Sequence, residues 1–529
     1  MLLSLSYILF SLLALYAVLF WTYLWQLKEY RFDRLFVHVR DTHQGQKTLL
    51  SPLILLPALG IIIFVSGAFY ETLSRNFSII SLCILVILFA FSIKEILSKK
   101  MRKPVFTVKA MGIFIMTTAI VVCLLFFPLI DIVVWQLILL FLIPIFVGFS
   151  VFLFAFPTEV YTDIYTQKAK MKRKTMKKLQ VIAVSGSYGK SSTKEIIAHI
   201  LSQKFHVVKT SLSNNTPLVI AKTLLTNVTE NTDFFVVELG AYKRGEIKQL
   251  AEMVGPTISV TTAVSDQHLA LYGSMKDVIA SELELIHVLP RQAPILLNAN
   301  SKGVEEMAQA IKNQNIVWYG TQGKYIKYIH KALAQNIVPT IRGVEWTYRQ
   351  GSRSIVFTSP LLGTHTVENI LPGVILGLRF GFSMQEIQKA VQTLRPMPKT
   401  MEKISLWPNI YVIDDTFNAS PESVFSSIAY LTLFKKRKLY VLSPLIELGS
   451  MSHERHRQIG EKLADIDIVF LTNKNFLNDI TQGIMNKRGK TKIVSGSYQK
   501  LAQEIKQTIQ KGDAILFEGK EAGIVLKLL

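Results

Sequence analysis

Five apolar runs, near residues 3–25, 50–70, 77–97, 105–128 and 132–156, crowd into the first 157 positions of a 529-residue chain. Each is long enough to cross a hydrocarbon core, which takes about 20 residues of helix. With no water there to satisfy the backbone, such runs can only be helices. The pattern predicts an N-terminal α-helical transmembrane bundle of five helices over residues 1–157. The first run lacks the basic start and small-residue cleavage site of a signal peptide, and Trp21, Tyr23 and Trp25 read as an interfacial belt.

Loop charges orient the bundle. The loop after the first run carries Lys28, Arg31, Arg34, Arg40 and Lys47, and the next has only Arg75. The third holds Lys99, Lys100, Arg102 and Lys103, the fourth has no Lys or Arg, and Lys168, Lys170, Lys172, Arg173, Lys174, Lys177 and Lys178 follow the fifth run. This alternation predicts a multi-pass protein of the plasma membrane with its N-terminus outside and everything after residue 157 cytoplasmic. Residues 158–179 read as a basic linker, partly helical along the membrane surface, whose charges face lipid head groups. The net charge of +22 brings with it no zinc-finger spacing, no RNA-binding aromatic motif and no basic helix in the soluble part, so a nucleic-acid partner is set aside. Cys83 and Cys123 both fall in apolar runs and suggest neither a disulfide nor a metal site.

From residue 180 short apolar runs alternate with helical stretches. Strands are expected at 181–184, 234–238, 257–261, 294–297, 316–318, 410–414, 439–443, 467–471 and 513–517. This alternation predicts α/β units with parallel sheets, with an antiparallel stretch within 320–365. The break Leu394–Arg395–Pro396–Met397–Pro398 divides a central domain, 180–395, from a C-terminal domain, 396–529.

The stretch Val181 to Glu195 reads VIAVSGSYGKSSTKE. A buried strand runs into a glycine turn, a lysine and hydroxyl residues that open a helix. Gly186 and Gly189 let the backbone turn, so that it, with Ser187 and Tyr188, aims N–H groups at an anion. Lys190 supplies a point charge for the β/γ-phosphates, and Ser191 or Ser192 a hydroxyl for Mg²⁺. The spacing is the short G-x-x-G-K-S, because Val184 stands where a longer phosphate loop has its first glycine. The plain alternative is a strand–turn–helix corner with a solvated lysine. Glu238 ends the run FFVVE beside that loop and is a candidate Mg²⁺ ligand or water-orienting group. Alone, His268 reads as a loop histidine and Glu282 as part of a solvated helix face. Asn298 ends PILLN, and Asp414 and Asp415 end IYVIDD, where acids could reach a ribose or a metal.

Together these fragments resemble the Mur ligase superfamily, whose members form amide bonds through an acyl-phosphate made from ATP. The branch most similar adds D-alanyl-D-alanine to a UDP-muramoyl-tripeptide. The motifs that carry the resemblance are Gly186–Ser191 with Thr193-Lys194-Glu195, then Ser213-Asn214-Asn215-Thr216-Pro217, and Glu238-Leu239-Gly240-Ala241 with Gly245-Glu246-Ile247. They continue with Asp414-Asp415-Thr416-Phe417-Asn418-Ala419-Ser420-Pro421, then Glu447-Leu448-Gly449 with His453 or His456. The resemblance implies a Mur-ligase-like central P-loop ATPase domain and a C-terminal Rossmann-like domain. It implies ATP and Mg²⁺ as cofactors, with Ser191 and Glu238 on one Mg²⁺ and His268 on another. Asn298 and Asp415 would contact the nucleoside, with His365 and Asn369 near the nucleotide. Lys190, Glu238, His268 and Glu282 would form the catalytic set.

The departures are informative. Glu282 stands where the family often has a carbamylated lysine, so that a carboxylate would replace a carbamate. Thr400 replaces an arginine, Thr366 an asparagine, Ser443-Pro444-Leu445 a Gly-Asp-Met, and Glu518-Gly519-Lys520 a Lys-Gly-Ser. A membrane bundle stands where the family binds UDP-sugar. The expected function is ATP-dependent peptide ligation at the cytoplasmic membrane face, in cell-wall peptidoglycan precursor synthesis. An amino acid or dipeptide would join a UDP-linked or lipid-linked acceptor, with membrane lipids as further partners. The alternatives are a polyglutamate-type polymer ligase and a degenerate nucleotide-binding scaffold.

Overall fold

A computed structural model describes residues 2–41, 43–67, 77–97, 101, 103–212, 214–266, 269–312, 315–321, 333–350 and 353–529. The chain divides into two compact units, Met1–Asp163 and Ile164–Leu529, and the division falls inside helix Ile132–Thr175.

In the first unit, among the described residues, four helices are long and apolar enough to cross a membrane: Leu2–Leu27, Phe77–Leu97, Val108–Leu125 and Ile132–Thr175. The expected count was five. The run near 50–70 instead forms helix Pro52–Gly67, 16 residues with Pro57 inside it, and residues 68–70 lie outside the described residues. Sixteen residues of helix rise about 24 Å, short of the roughly 30 Å of a hydrocarbon core. Leu13, Leu85, Leu88, Ile113, Leu137 and Ile143 pack the interior of this unit. Ile62, Ile87, Ile115, Phe149 and Phe152 point outward and are exposed. Apolar interior and apolar exterior together are what a bundle solvated by lipid requires.

The second unit begins in the segment read as a linker, which is helical through Thr175. Its basic residues do not all face solvent or lipid. The Lys172 Nζ donates to the carbonyls of Leu225 and Val228, at 2.9 and 2.6 Å, where helix Pro217–Thr226 ends. Arg173 donates to the carbonyls of Val254, Gly255 and Met176, at 2.9, 3.0 and 2.9 Å. Val254 closes helix Glu246–Val254. Helix C-termini carry orphan carbonyls and partial negative charge, so cations dock there. For these two residues, that corrects the expectation of a lipid-facing charge cluster.

The central domain holds a six-stranded sheet ordered β2-β3-β1-β4-β5-β6, with β1 at Gln180–Ser185, β2 at Val207–Lys209, β3 at Phe234–Glu238, β4 at Ile258–Thr261, β5 at Pro294–Asn298 and β6 at Asn315–Tyr319. Every pairing is parallel. Helices therefore cover both faces and the strands are apolar throughout. Ile182 and Val184 face Ile196, Ile197 and Ile200, while Val181 and Ala183 face Phe235, Val237 and Leu285. Within 320–365 lies the expected antiparallel sheet of β7 (Leu333–Thr340), β8 (Gly343–Gln350) and β9 (Arg353–Ser359). The C-terminal domain has a second six-stranded sheet ordered β10-β11-β15-β12-β13-β14: β10 at Glu402–Ile404, β11 at Tyr411–Asp415, β12 at Lys438–Leu442, β13 at Ile468–Leu471, β14 at Lys492–Ser495 and β15 at Ala514–Glu518. Only β10 runs antiparallel there. The short strands β2, β10 and β14 escape the sequence reading.

Replacing Arg173 by methionine keeps the aliphatic stem and strands three carbonyls. The expected loss is about 2–3 kcal/mol of stability in the catalytic part, since a hydrogen bond to a charged group contributes more than a neutral one. Thermal or denaturant unfolding followed by tryptophan fluorescence measures it.

Candidate active site

The tip of β1 turns into helix Lys190–Leu201 through Gly186 (φ 125°) and Gly189 (φ 79°). Both glycines are required by contact as well as by φ. A Cβ on Gly186 would stand 2.5 Å from the Thr262 hydroxyl, and one on Gly189 would stand 2.6 Å from the Asn369 side-chain oxygen. The segment after β4 clamps the loop from outside. The Ser187 N–H donates to the Ala263 carbonyl at 2.6 Å, and the Ser265 N–H to the Ser187 hydroxyl at 2.9 Å. Thr262 reaches the carbonyls of Tyr188 and Ser185, at 2.5 and 3.1 Å. Lys190 folds over the loop, its Nζ 2.5 Å from the Gly186 carbonyl and 2.9 Å from that of Ser187.

Two carboxylates stand beside this loop. Parallel pairing sets Val184 against Glu238, so the tip of β3 lies next to the start of the loop. Glu238 is buried. Its Oε2 accepts from the Ser191 hydroxyl at 2.6 Å and its Oε1 from the Asn215 amide at 3.4 Å. Glu282 comes from helix Met275–Val288, which Ser274 caps through the Asp277 N–H. It is no solvated face: only 6 % of it is exposed. Burial pushes its carboxyl from 4.5 up to about 7, while Lys190, Ser185 and the Gly186 N–H pull the other way. One of its oxygens, Oε2, is buried without a hydrogen-bond partner.

Among the described residues no three His, Cys, Asp or Glu side chains converge as a metal cage. Mg²⁺ rarely needs one, because phosphates and water complete its shell. The Ser191 hydroxyl, the Glu238 carboxylate and the orphan oxygen of Glu282 are hard oxygen donors beside a phosphate loop, and they fit that ion. His268 lies outside the described residues, as does Ser213.

The residues expected near the nucleoside are divided. A small cavity is lined by Ser192, His365, Asn369, Arg395, Met397 and Thr400, among others. His365 is half-buried, and loss of water pushes its imidazole down to about 4, so it is neutral. Asn369 also receives the Thr193 hydroxyl at 3.3 Å. Asn298 and Asp415 are not among the residues lining this cavity. The Asn298 amide donates to the Thr262 carbonyl at 2.7 Å and to Glu368 at 3.0 Å, which ties β5 to the clamp. Asp415 accepts the Met401 N–H at 3.1 Å and lies opposite Glu518 in the β11–β15 register. Both carboxyls of this buried pair are raised by loss of water.

The structural roles of several residues escaped the sequence reading. Lys194 is wholly buried, with its Nζ on the carbonyls of Thr210 (2.7 Å) and Leu212. It holds the turn that carries Asn215. Its signal was a lysine at a position where the helix should be apolar, one turn before Ile197 and Ala198. Glu518 ends AILFE just as Glu238 ends FFVVE, and that parallel was available. Asp266 and Arg455 form an ion pair of 2.7 Å across 189 positions, which no local pattern announces.

Known proteins share this architecture. A model of the Mur ligase middle domain matches residues 184–377, and one of the Mur ligase glutamate ligase domain matches residues 399–521. The UDP-N-acetylmuramoyl-tripeptide–D-alanyl-D-alanine ligase of Synechocystis is 29 % identical over 349 residues, 65 % of this chain and 72 % of that one. The Bacillus subtilis enzyme of the same name is 28 % identical over 347 residues, 64 % of this chain and 72 % of its own. Among solved structures, MurF from Acinetobacter baumannii superposes with a TM-score of 0.62 at 23 % identity, over 69 % of this chain and 80 % of that one. The chain belongs to the Mur ligase family and is an ATP-dependent ligase that forms an amide bond.

Proposed function

We propose that this ligase adds an amino acid or dipeptide to a peptide carboxylate of a peptidoglycan precursor, at the cytoplasmic face of the plasma membrane. The relatives named above join D-alanyl-D-alanine to a UDP-N-acetylmuramoyl-tripeptide. The observation that carries the reading is the convergence of Lys190, Ser191, Glu238 and Glu282 at the tips of β1 and β3. A scaffold that had lost its chemistry has no need of a glutamate buried against the phosphate-loop lysine.

The acceptor carboxylate oxygen attacks the γ-phosphorus of ATP, and the bond to ADP breaks. The amine nitrogen then attacks the acyl carbon of the acyl-phosphate. Phosphate leaves, and the amine gives up its proton. Loop N–H groups and Lys190 orient and stabilise the phosphoryl oxygens. Ser191 and Glu238 would hold Mg²⁺, which when bound would screen charge on the transferring group. Glu282 would serve a second metal position, the one to which the resemblance assigns His268. Glu282 does so as a built-in carboxylate, with no carbamylation required. Asn298, His365, Asn369 and Asp415 order the nucleoside end, His365 and Asn369 through the cavity, Asn298 and Asp415 by fixing its walls.

The apolar helices support a membrane site. With the catalytic part tethered to them, a lipid-linked acceptor would be presented at high local concentration. Reporters fused at residues 1 and 529 should give an outside N-terminus and an inside C-terminus. That outcome requires an odd number of spans, so the segment that includes Pro52–Gly67 must then cross as a fifth. Both ends on one side would instead fit the four long helices alone. Full-length protein in nanodiscs, given matched UDP-linked and lipid-linked muropeptides, decides the acceptor. Preference for the lipid-linked form is expected, and equal use of both would reduce the helices to an anchor.

Lys190→Ala should abolish ADP formation while the protein stays folded, because the lysine meets the loop and not the core. Normal turnover would overturn the phosphate-loop reading. Glu282→Gln separates stability from activity. The raised carboxyl contributes stability that is complete below pH 4.5 and lost as pH rises through about 7. The metal-free Gln variant should therefore be roughly 2–4 kcal/mol more stable than the parent at pH 8 and no more stable at pH 4. Ligation should fall, and removing CO₂ from the parent enzyme should leave its rate unchanged.

A further inference from the structure

Because β11, β15, β12, β13 and β14 pair in parallel, all five start at one edge of the C-terminal sheet and end at the other. The starting edge gathers cations from segments far apart in sequence. Lys435 and Lys436 precede β12, Lys511 precedes β15, and Lys487, Arg488, Lys490 and Lys492 lead into β14. All of them are exposed, and among the described residues none of their side chains has an ion-pair or hydrogen-bond partner. Lys487 and Arg488 follow the end of helix Leu477–Asn486, yet their side chains take none of its carbonyls, unlike Lys172 and Arg173. The acids of this edge are few and mostly engaged. Asp513 is buried and accepts from Arg437 at 2.7 and 3.2 Å. Asp467 pairs with Lys438 at 3.8 Å. Glu461 accepts the Asn486 amide at 3.5 Å, and Asp465 remains. A groove of about 480 Å³ lies where the starts of β12 and β15 adjoin, lined by Lys435, Lys436, Gln510, Lys511 and the Arg437–Asp513 and Lys438–Asp467 pairs. The Gly512 N–H donates to the Asn409 carbonyl at 2.8 Å, which brings the loop of the half-buried Trp407 to the same edge.

Unpaired cations gathered on one face repel one another unless an anion lies over them. Four strand spacings separate β11 from β14, about 19 Å, so the matching anion is broad, wider than a single phosphate. All but one of the free charges are ammonium groups on flexible stems, which suit diffuse attraction better than bidentate recognition. We propose that this edge docks on an anionic lipid surface, with lipid phosphates in the groove and Trp407 at the level of the head groups. The inference rests on the membrane reading given above. The chain's own apolar helices favour this partner over a nucleic acid, because a catalytic part joined to them meets a bilayer at high effective concentration. Each basic residue close to such a surface adds about fivefold to the affinity. Asp415 and Glu518 stand at the opposite ends of β11 and β15, about 15 Å away along the strands, so lipid at the starting edge does not cover them.

Lysine footprinting reads the contact directly. Full-length protein is placed in nanodiscs of phosphatidylcholine, alone or mixed with phosphatidylglycerol, and acetylated briefly with a water-soluble reagent. Mass spectrometry then gives the rate at each lysine. Lys435, Lys436, Lys490 and Lys511 should react at least about threefold more slowly on the anionic discs, because the potential of such a leaflet enriches protons by that factor and its phosphates hold the ammonium groups. Lys302, highly exposed in the central domain, is the reference and should not change. High salt should erase the difference. The combined variant Lys435→Glu, Lys436→Glu, Lys511→Glu removes three exposed side chains with no partner to lose. It should abolish the slowing at Lys490 and leave ADP formation in detergent unchanged. Equal acetylation of this edge on both discs would overturn the inference and leave the membrane reading standing, and equal slowing at Lys302 would do the same. A chain that enters neither disc would overturn both. Protection by a duplex oligonucleotide but not by lipid would assign the edge to a nucleic acid instead.

Discussion

The active site hangs on one clamp, the segment Thr262–Ser265 pressed against the phosphate loop. Two left-handed glycines give the loop its path but nothing to keep it there. Thr262 and the Ala263 carbonyl supply that from the next strand. Asn298 fixes the Thr262 carbonyl in turn, and Glu368 fixes Asn298 from helix His365–Arg379. A chain of hydrogen bonds therefore runs from β1 through β4 and β5 to a helix nearly 200 positions on. Parallel pairing makes this possible, since it brings the C-terminal tips of all these strands to one edge of the sheet.

Around that edge the fold buries charge repeatedly. Lys194 is buried on carbonyls, Glu238 on a hydroxyl and an amide, and Glu518 on Ser423, Ser427 and Tyr440. These groups are satisfied and serve as struts. Glu282 differs, because it keeps an oxygen with no partner. In a low-dielectric setting a satisfied polar network stiffens, whereas an orphaned oxygen raises the free energy of the unliganded state. That contrast separates residues that hold the site from one that awaits a ligand.

The legible part of the sequence was whatever is local. Glycine, lysine and hydroxyls in one short run fixed the phosphate loop, and FFVVE fixed Glu238 as a strand tip. The α/β alternation and the antiparallel stretch within 320–365 were equally local. Glu282 was placed by resemblance, while its own surroundings in sequence read as a solvated helix. What escaped depends on chain reversal: Arg455 meeting Asp266, Lys194 meeting Thr210, Arg173 meeting the end of a helix 80 positions later. The span count is bounded differently, because residues 68–76 lie outside the described residues and the run near 50–70 is described only as helix Pro52–Gly67. Hydropathy sees a largely apolar run of 21 residues from 50 to 70, but it does not see where Ser51 and Pro52 start the helix.

The positive charge shows how a bulk property dissolves into particular contacts. Fifty-nine Lys and Arg against thirty-seven Asp and Glu leave +22, a balance that invites a polyanion as partner. Yet Lys172 and Arg173 close the ends of two helices, Lys190 covers the phosphate loop, Lys194 braces a turn, and Arg455 spans the domain seam. Arg437 is spent on Asp513. Cations held in this way cannot also coat a nucleic acid, because each would have to leave a buried acceptor unpaired. The excess is therefore partly internal: carbonyls, not carboxylates, are the counterparts of several of these cations, and a formal charge count cannot register a carbonyl.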